Sequence, residues 1–169
     1  MQGIPLNERK RLGALLDDRP QAEVMAMIPQ FSQAETDNFV APPAQIPEAL
    51  GVLMFNMERG VNLPEIQEFL RDCPDIQPFD VILANELDDG CARSGNKNTA
   101  RELAQAFGLN YAWGLEFIEL VNDENAKGFH GNAVFSRWPI RRAGVIRLPE
   151  QYNWYFDRQK RIGGRLAVF

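Results

Sequence analysis

The sequence predicts a mixed α/β (α+β) domain with a parallel beginning and an antiparallel second half. Three observations carry that expectation. Two short apolar runs, Val52 to Phe55 and Phe79 to Ala84, are joined by one segment with helical spacing of its apolar residues. Each run stops abruptly at polar residues: Asn56, Glu58 and Arg59 after the first, Asn85, Glu86, Asp88 and Asp89 after the second. Beyond Gly108, strand-like segments follow one another with no helix between them, the pattern of antiparallel hairpins.

The elements follow in chain order. Residues 1–47 read as an N-terminal extension, helical or irregular, and residues 48–169 as the domain proper. In the extension, Leu6, Leu12, Leu15 and Leu16 suit one short amphipathic helix, and Val24, Met25, Met27 and Ile28 a second apolar element. Pro42, Pro43 and Pro47 mark an extended connection from Phe31 onward. After the first strand, Asn62, Pro64 and Glu65 form a helix start, and Ile66, Phe69 and Leu70 share its apolar face. Pro74 and Pro78 bracket the turn into the second strand. A polar loop from Asp88 to Asn98 leads to the clearest helix. Its start is marked by Thr99 and Glu102 at capping-box spacing, its buried stripe by Ala100, Leu103, Ala104 and Phe107, and its stop by Gly108. Later strands are expected at Tyr111 to Val121, Asn132 to Arg137, Gly144 to Leu148 and Gly164 to Phe169.

Composition bounds the partners. The chain has 169 residues, 45% hydrophobic and 24% charged, with a net charge of −5. That is the make-up of one globular domain, and it argues against a basic surface built to grip long duplex nucleic acid. A small phosphorylated substrate or a local basic patch, such as Arg141-Arg142 or Arg158 to Arg161, stays compatible with it. No apolar stretch is long enough to span a bilayer, and the charged first twenty residues resemble no signal peptide. Cys73 and Cys91 lie far apart, outside any metal-ligand spacing, so reduced thiols and a cytoplasmic location are expected.

Strand, helix and strand joined by a short crossover make a right-handed βαβ unit with parallel strands. Asn56, Glu58 and Glu86 then meet at one sheet edge, the carboxyl end, where ligands of parallel sheets collect. Such oxygen donors suit a hard cation, Mg2+ or Mn2+.

Six pieces in order carry a family resemblance. They are Phe55-Asn56-Met57-Glu58-Arg59-Gly60; Asn85-Glu86-Leu87-Asp88; Arg93-Ser94-Gly95-Asn96; Asn110-Tyr111-Ala112-Trp113-Gly114 with Glu116-Phe117; Gly131-Asn132-Ala133-Val134-Phe135-Ser136-Arg137-Trp138-Pro139-Ile140; and Lys160-Arg161-Ile162-Gly163-Gly164-Arg165. From about residue 50 onward the chain resembles the N-terminal part of the endonuclease/exonuclease/phosphatase superfamily, the fold shared with DNase I. The resemblance implies a two-sheet sandwich with outer helices and a magnesium-dependent phosphoesterase. Its substrate would be a phosphate ester such as a nucleic acid, a nucleotide or a phospholipid head group. By position, Glu86 matches the family's metal-binding glutamate and Asn56 the asparagine that arranges metal and phosphate. Glu58 falls where some members carry a further acidic residue near the metal. Arg93 and Asn96 are the expected substrate contacts.

The family's remaining catalytic residues, a histidine followed by Asp-Asn and Asp-His pairs, lie C-terminal to this point in its pattern. The one histidine, His130, precedes the Asn132 to Ile140 strand and matches none of them, so a structural role is expected for it. The apolar run Arg165 to Phe169 enters a strand and stops, so the sandwich is expected to be incomplete at the C-terminus and the chain to be inactive alone. The competing expectation is a non-catalytic interaction module that kept the fold. Trp113, Phe117, Trp138, Trp154 and Tyr155 are expected to serve packing rather than base stacking.

Overall fold

The computed structural model describes residues 1–150, 152–156 and 158–169. It is a mixed α/β fold. Four helices, α1 (Leu6–Ala14), α2 (Gln21–Ala26), α3 (Leu63–Asp72) and α4 (Thr99–Phe107), accompany two sheets. The strands are β1 (Ala34–Asp37), β2 (Val52–Arg59), β3 (Val81–Asp89), β4 (Asn110–Glu119), β5 (Phe129–Ser136), β6 (Val145–Arg147), β7 (Arg161–Gly163) and β8 (Leu166–Val168). The large sheet is six-stranded, ordered β1-β4-β5-β3-β2, with β7 also pairing β4. β2 and β3 run parallel, and every other pair in it is antiparallel. The second sheet is two-stranded, β6 with β8.

The parallel pair exists because α3 carries the chain back over one sheet face. Leu63 and Leu70 are buried beneath the helix, and the Phe55 and Phe69 rings stack at 5.9 Å. α4 lies beside α3 on that face, burying Ala100, Leu103 and Ala104, and Phe107 meets Phe79 edge-on at 5.7 Å. The N-terminal ends of the strands are tied by Asp80. It accepts hydrogen bonds from the Gly51 N–H and from Arg137 Nη1, each at 2.9 Å.

The opposite face is covered unevenly. Over Gly114 the small sheet approaches so closely that an added Cβ would stand 2.6 Å from Val145 Cγ1. On the same face, further along the register, Val52 and Met54 remain 58% and 72% exposed.

Several expectations shift by small amounts. The helix after Gly95 is capped by Asn98, whose side chain accepts from the Arg101 N–H, one residue before the expected Thr99; the Thr99 hydroxyl donates instead to the Asp88 carbonyl at 2.8 Å. Asn62 occupies the N-cap of α3, but its side chain makes no capping bond. The last predicted strand, Gly164 to Phe169, is present as β8, and a further short strand, β7, precedes it. β7 stays in the large sheet, and the chain leaves at Gly163, at φ +139, to reach β8; a Cβ there would sit 2.1 Å from the Glu116 carbonyl oxygen. The N-terminal extension contributes its own edge strand, β1, which sequence reading placed in an extended connection. Leu12, Leu16, Val24, Ile28 and Phe31 join the same core as the rest of the chain.

Candidate functional site

The carboxyl ends of β2 and β3 are irregular in a coordinated way. Between the Asn56–Asn85 and Arg59–Leu87 pairs, β2 places two residues, Met57 and Glu58, against Glu86 alone. Between the Ala84–Ala133 and Leu87–Gly131 pairs, β3 places Asn85 and Glu86 against Asn132 alone. Each is a β-bulge, a device that bends a strand and re-aims a side chain. Both converge on Glu86.

The bulges force left-handed backbone on residues with side chains. Among the described residues, Glu58 (φ +46), Arg59 (φ +67) and Glu86 (φ +59) are three of four non-glycine residues at positive φ; the other is Asn96 (φ +57). Such conformations persist where the surroundings over-determine them. Here two asparagines do so. Asn56 Oδ1 accepts the Glu58 N–H at 2.9 Å, closing a local turn. Asn132 Oδ1 accepts the Glu86 N–H at 3.1 Å across the sheet.

The structure therefore brings Asn56 and Glu86 to one sheet edge on adjacent strands. Asn56 lies opposite Asn85, and Asn132 stands across the bulge, so three carboxamides line successive strands beside Glu86. Asn56, Asn85 and Glu58 are exposed, and Glu86 and Asn132 half-buried. The Glu86 carboxylate enters no ion pair among the described residues. Sequence reading selected Asn56, Glu58 and Glu86 but passed over Asn85 and Asn132. Their signal was adjacency: one precedes Glu86, and the other opens the Asn132 to Ile140 motif.

Arg93 and Asn96 are otherwise engaged. Arg93 forks onto Asp88, with Nε to Oδ2 at 2.7 Å and Nη2 to Oδ1 at 2.8 Å, and also reaches Glu119 at 3.0 Å. Asn96 fastens its loop to the next, donating to the Glu124 carbonyl and accepting the Ala126 N–H. His130 is buried, with Nδ1 2.9 Å from Asp88 Oδ1. Asp88 is thus the hub of a buried charged cluster. Burial alone would raise its pKa, but hydrogen bonds from Arg93 and His130 outweigh that and hold it below the ordinary range. Cys91, in the same cluster, is pushed up by burial and by the Asp88 charge, so it is an unreactive thiol. Arg161 is buried against Glu119 at 3.1 Å, and Phe117 and Trp113 are core residues.

Among the described residues, no group of three histidine, cysteine, aspartate or glutamate side chains is placed to hold a metal ion. The donors at the bulged edge are of another kind: one carboxylate, Glu86, among neutral carboxamides, with Glu58 opposite it across the β2 bulge. A donor set of one or two carboxylates completed by water and substrate oxygens is the kind Mg2+ takes, and a closed protein cage is not needed. The Asn56 oxygen already accepts the Glu58 N–H, so its Nδ2 hydrogens are the group it can present to an anion.

Comparison of the chain with protein-family models, with curated proteins and with solved structures finds no match.

Proposed function

We propose that this chain belongs to a metal-dependent phosphoesterase, acting on a phosphodiester bound at the Asn56–Glu86 edge. The observation that carries the reading is the pair of bulges that hold Glu58, Arg59 and Glu86 in left-handed backbone at the carboxyl ends of the parallel strands. Backbone of this kind clusters at functional sites, and the carboxyl ends of parallel strands are where ligands bind. The family resemblance of the surrounding motifs points to the same residues. It also suggests the finer fold, a DNase I-like sandwich in which β6 and β8 begin the second sheet; their close approach over Gly114 supports that assignment.

In this reading Glu86 is the carboxylate that holds Mg2+ or Mn2+, with Asn56 and Glu58 beside it. The chemistry supplied by a bound divalent cation is polarisation of a phosphoryl oxygen and stabilisation of charge on the leaving oxygen. Asn56 Nδ2 donates to a non-bridging phosphate oxygen. Asn132 fixes the Glu86 backbone, so the carboxylate is oriented before the ligand arrives. Arg93 and Asn96 act behind this edge, bracing the loop after β3. The described residues offer no histidine here to activate water, since His130 is buried on Asp88. Binding is accordingly the activity to measure. Dimethyl phosphate, followed by 31P relaxation in the presence of Mn2+, is expected to show paramagnetic broadening with the protein beyond that given by Mn2+ alone. Asn56→Ala weakens it about tenfold, the loss of a charge-assisted hydrogen bond. Broadening no greater than with Mn2+ alone, or equal in Asn56→Ala, overturns the proposal.

A second reading, a non-catalytic interaction module, is favoured by one observation: the apolar sheet face around Val52 and Met54 is open to solvent. It predicts no dependence of phosphate binding on metal.

A further inference from the structure

A cavity of about 710 Å3 opens between α2, the turn at Pro29–Ser32 and the stretch that follows β6. It shares no residue with the Asn56–Glu86 edge. Its volume is that of a small-molecule site, and so is its wall, mostly apolar with few polar groups. Met25, Ile28, Phe31, Leu148, Tyr152 and Trp154 supply the apolar surface.

Two polar side chains in the wall are out of keeping with that surface. Arg147 lines the cavity with its guanidinium over the Phe31 ring at 4.7 Å. It donates to the carbonyl oxygens of Phe31, Leu115 and Gly164, and it forms no ion pair among the described residues. Burial pushes its pKa down to about 10, with Glu116 acting in the opposite direction. A cation held in apolar surroundings on neutral acceptors alone is a receiver for an anion. The neighbouring charges do not fill that role. Arg165 is engaged by Glu116 at 2.9 Å, and Glu150 lies at the exposed rim. Gln21 is the second such group. It is 2% exposed, and neither its amide nitrogen nor its amide oxygen has a hydrogen-bond partner. Buried amides are ordinarily paired, so this one has donor and acceptor capacity to spare.

We propose that this cavity binds a small organic anion with an apolar body, aromatic or acyl, its acidic group set beside Arg147. The inference is independent of the phosphoesterase reading. It rests on charge complementarity between a guanidinium that forms no ion pair among the described residues and its ligand, in a wall that is mostly apolar.

The probe is 1-anilinonaphthalene-8-sulfonate, compared with the neutral N-phenyl-1-naphthylamine, which keeps the aromatic body and lacks the acid. Fluorescence titration of the full chain is expected to give saturable one-to-one binding of the sulfonate. The neutral analogue binds about tenfold more weakly, the effect of one lost charge-assisted hydrogen bond. Arg147→Met also removes a clamp on three carbonyls, so the discriminating variant is Ala26→Trp. Ala26 lines the cavity from an exposed position on α2, where a large side chain fills the mouth without entering the core. Ala26→Trp is expected to weaken sulfonate binding about tenfold or more, with an unchanged circular dichroism spectrum. Equal affinity for the two dyes overturns the role of Arg147. Undiminished binding to Ala26→Trp, or binding that does not saturate, overturns the cavity as the site.

Discussion

Glu86 holds a left-handed conformation that costs a residue with a side chain about 1–2 kcal/mol. Glycine removes that cost but gives back about 0.5–1 kcal/mol in unfolded-chain entropy. Glu86→Gly should therefore leave the chain as stable as before, or up to about 1.5 kcal/mol more so, while losing metal binding. Urea denaturation and a metal titration on the same variant check both halves. A destabilised variant means the side chain is structural. Asp88 makes the opposite case. Its two partners, Arg93 and His130, hold its pKa below the ordinary aspartate value of about 3.9. A depressed folded pKa contributes stability that is fully present above the unfolded value and is lost as pH falls through the lower folded one. The chain should accordingly lose stability below about pH 4, in part through Asp88. Asp88→Asn should cost about 1.5–3 kcal/mol at pH 7, because it takes the charge from Arg93's fork partner while Glu119 stays on Arg93. The same variant should show a flatter stability profile between pH 5 and pH 3 in urea titrations than the parent.

At the scale of elements, the site depends on two close approaches. At Gly131 an added Cβ would stand 2.0 Å from the Gly114 carbonyl oxygen and 2.7 Å from the Trp113 ring. Gly131→Ala is expected to destabilise by about 3 kcal/mol, at the upper end for overpacking, and to loosen the adjacent Asn132–Glu86 hydrogen bond. Thermal denaturation and amide exchange at Glu86 measure these effects. Asn98→Ala should cost about 1 kcal/mol through the lost cap of α4. The helices and the parallel pair were legible in the sequence because apolar stripes and runs have a period that the chain itself displays. The cap of α4 was misplaced by one residue because Thr99 spends its hydroxyl on the Asp88 carbonyl, a tertiary demand that no local pattern announces. β1 was missed for a similar reason. Ala34–Asp37 is short and polar, and what makes it a strand is pairing with β4 together with Glu35 accepting from Tyr111 and Asn98.

At the scale of the whole molecule, one sheet face is closed by helices and the other only in part. The Val52 and Met54 side chains lie on the open part, so Met54→Lys should change stability by less than about 0.5 kcal/mol while reducing self-association at high concentration. Sedimentation velocity at several concentrations tests this. The candidate site was legible to the extent that it is local. Asn56 and Glu86 follow apolar runs, and the crossover between them dictates that they meet. The engagement of Arg93 with Asp88 and Glu119 was not legible, because Glu119 comes from a strand 26 residues further on. The bulges that single out Glu86 arise from the registers of three strands taken together and leave no mark on any one of them. The central claim is that this edge holds a divalent cation through Glu86. Its most direct test is Mn2+ binding followed by electron paramagnetic resonance, on the parent chain and on Glu86→Gln. Weak, saturable binding to the parent is expected, with its loss in Glu86→Gln and the thermal midpoint unchanged. Equal Mn2+ affinity in the two proteins would contradict it.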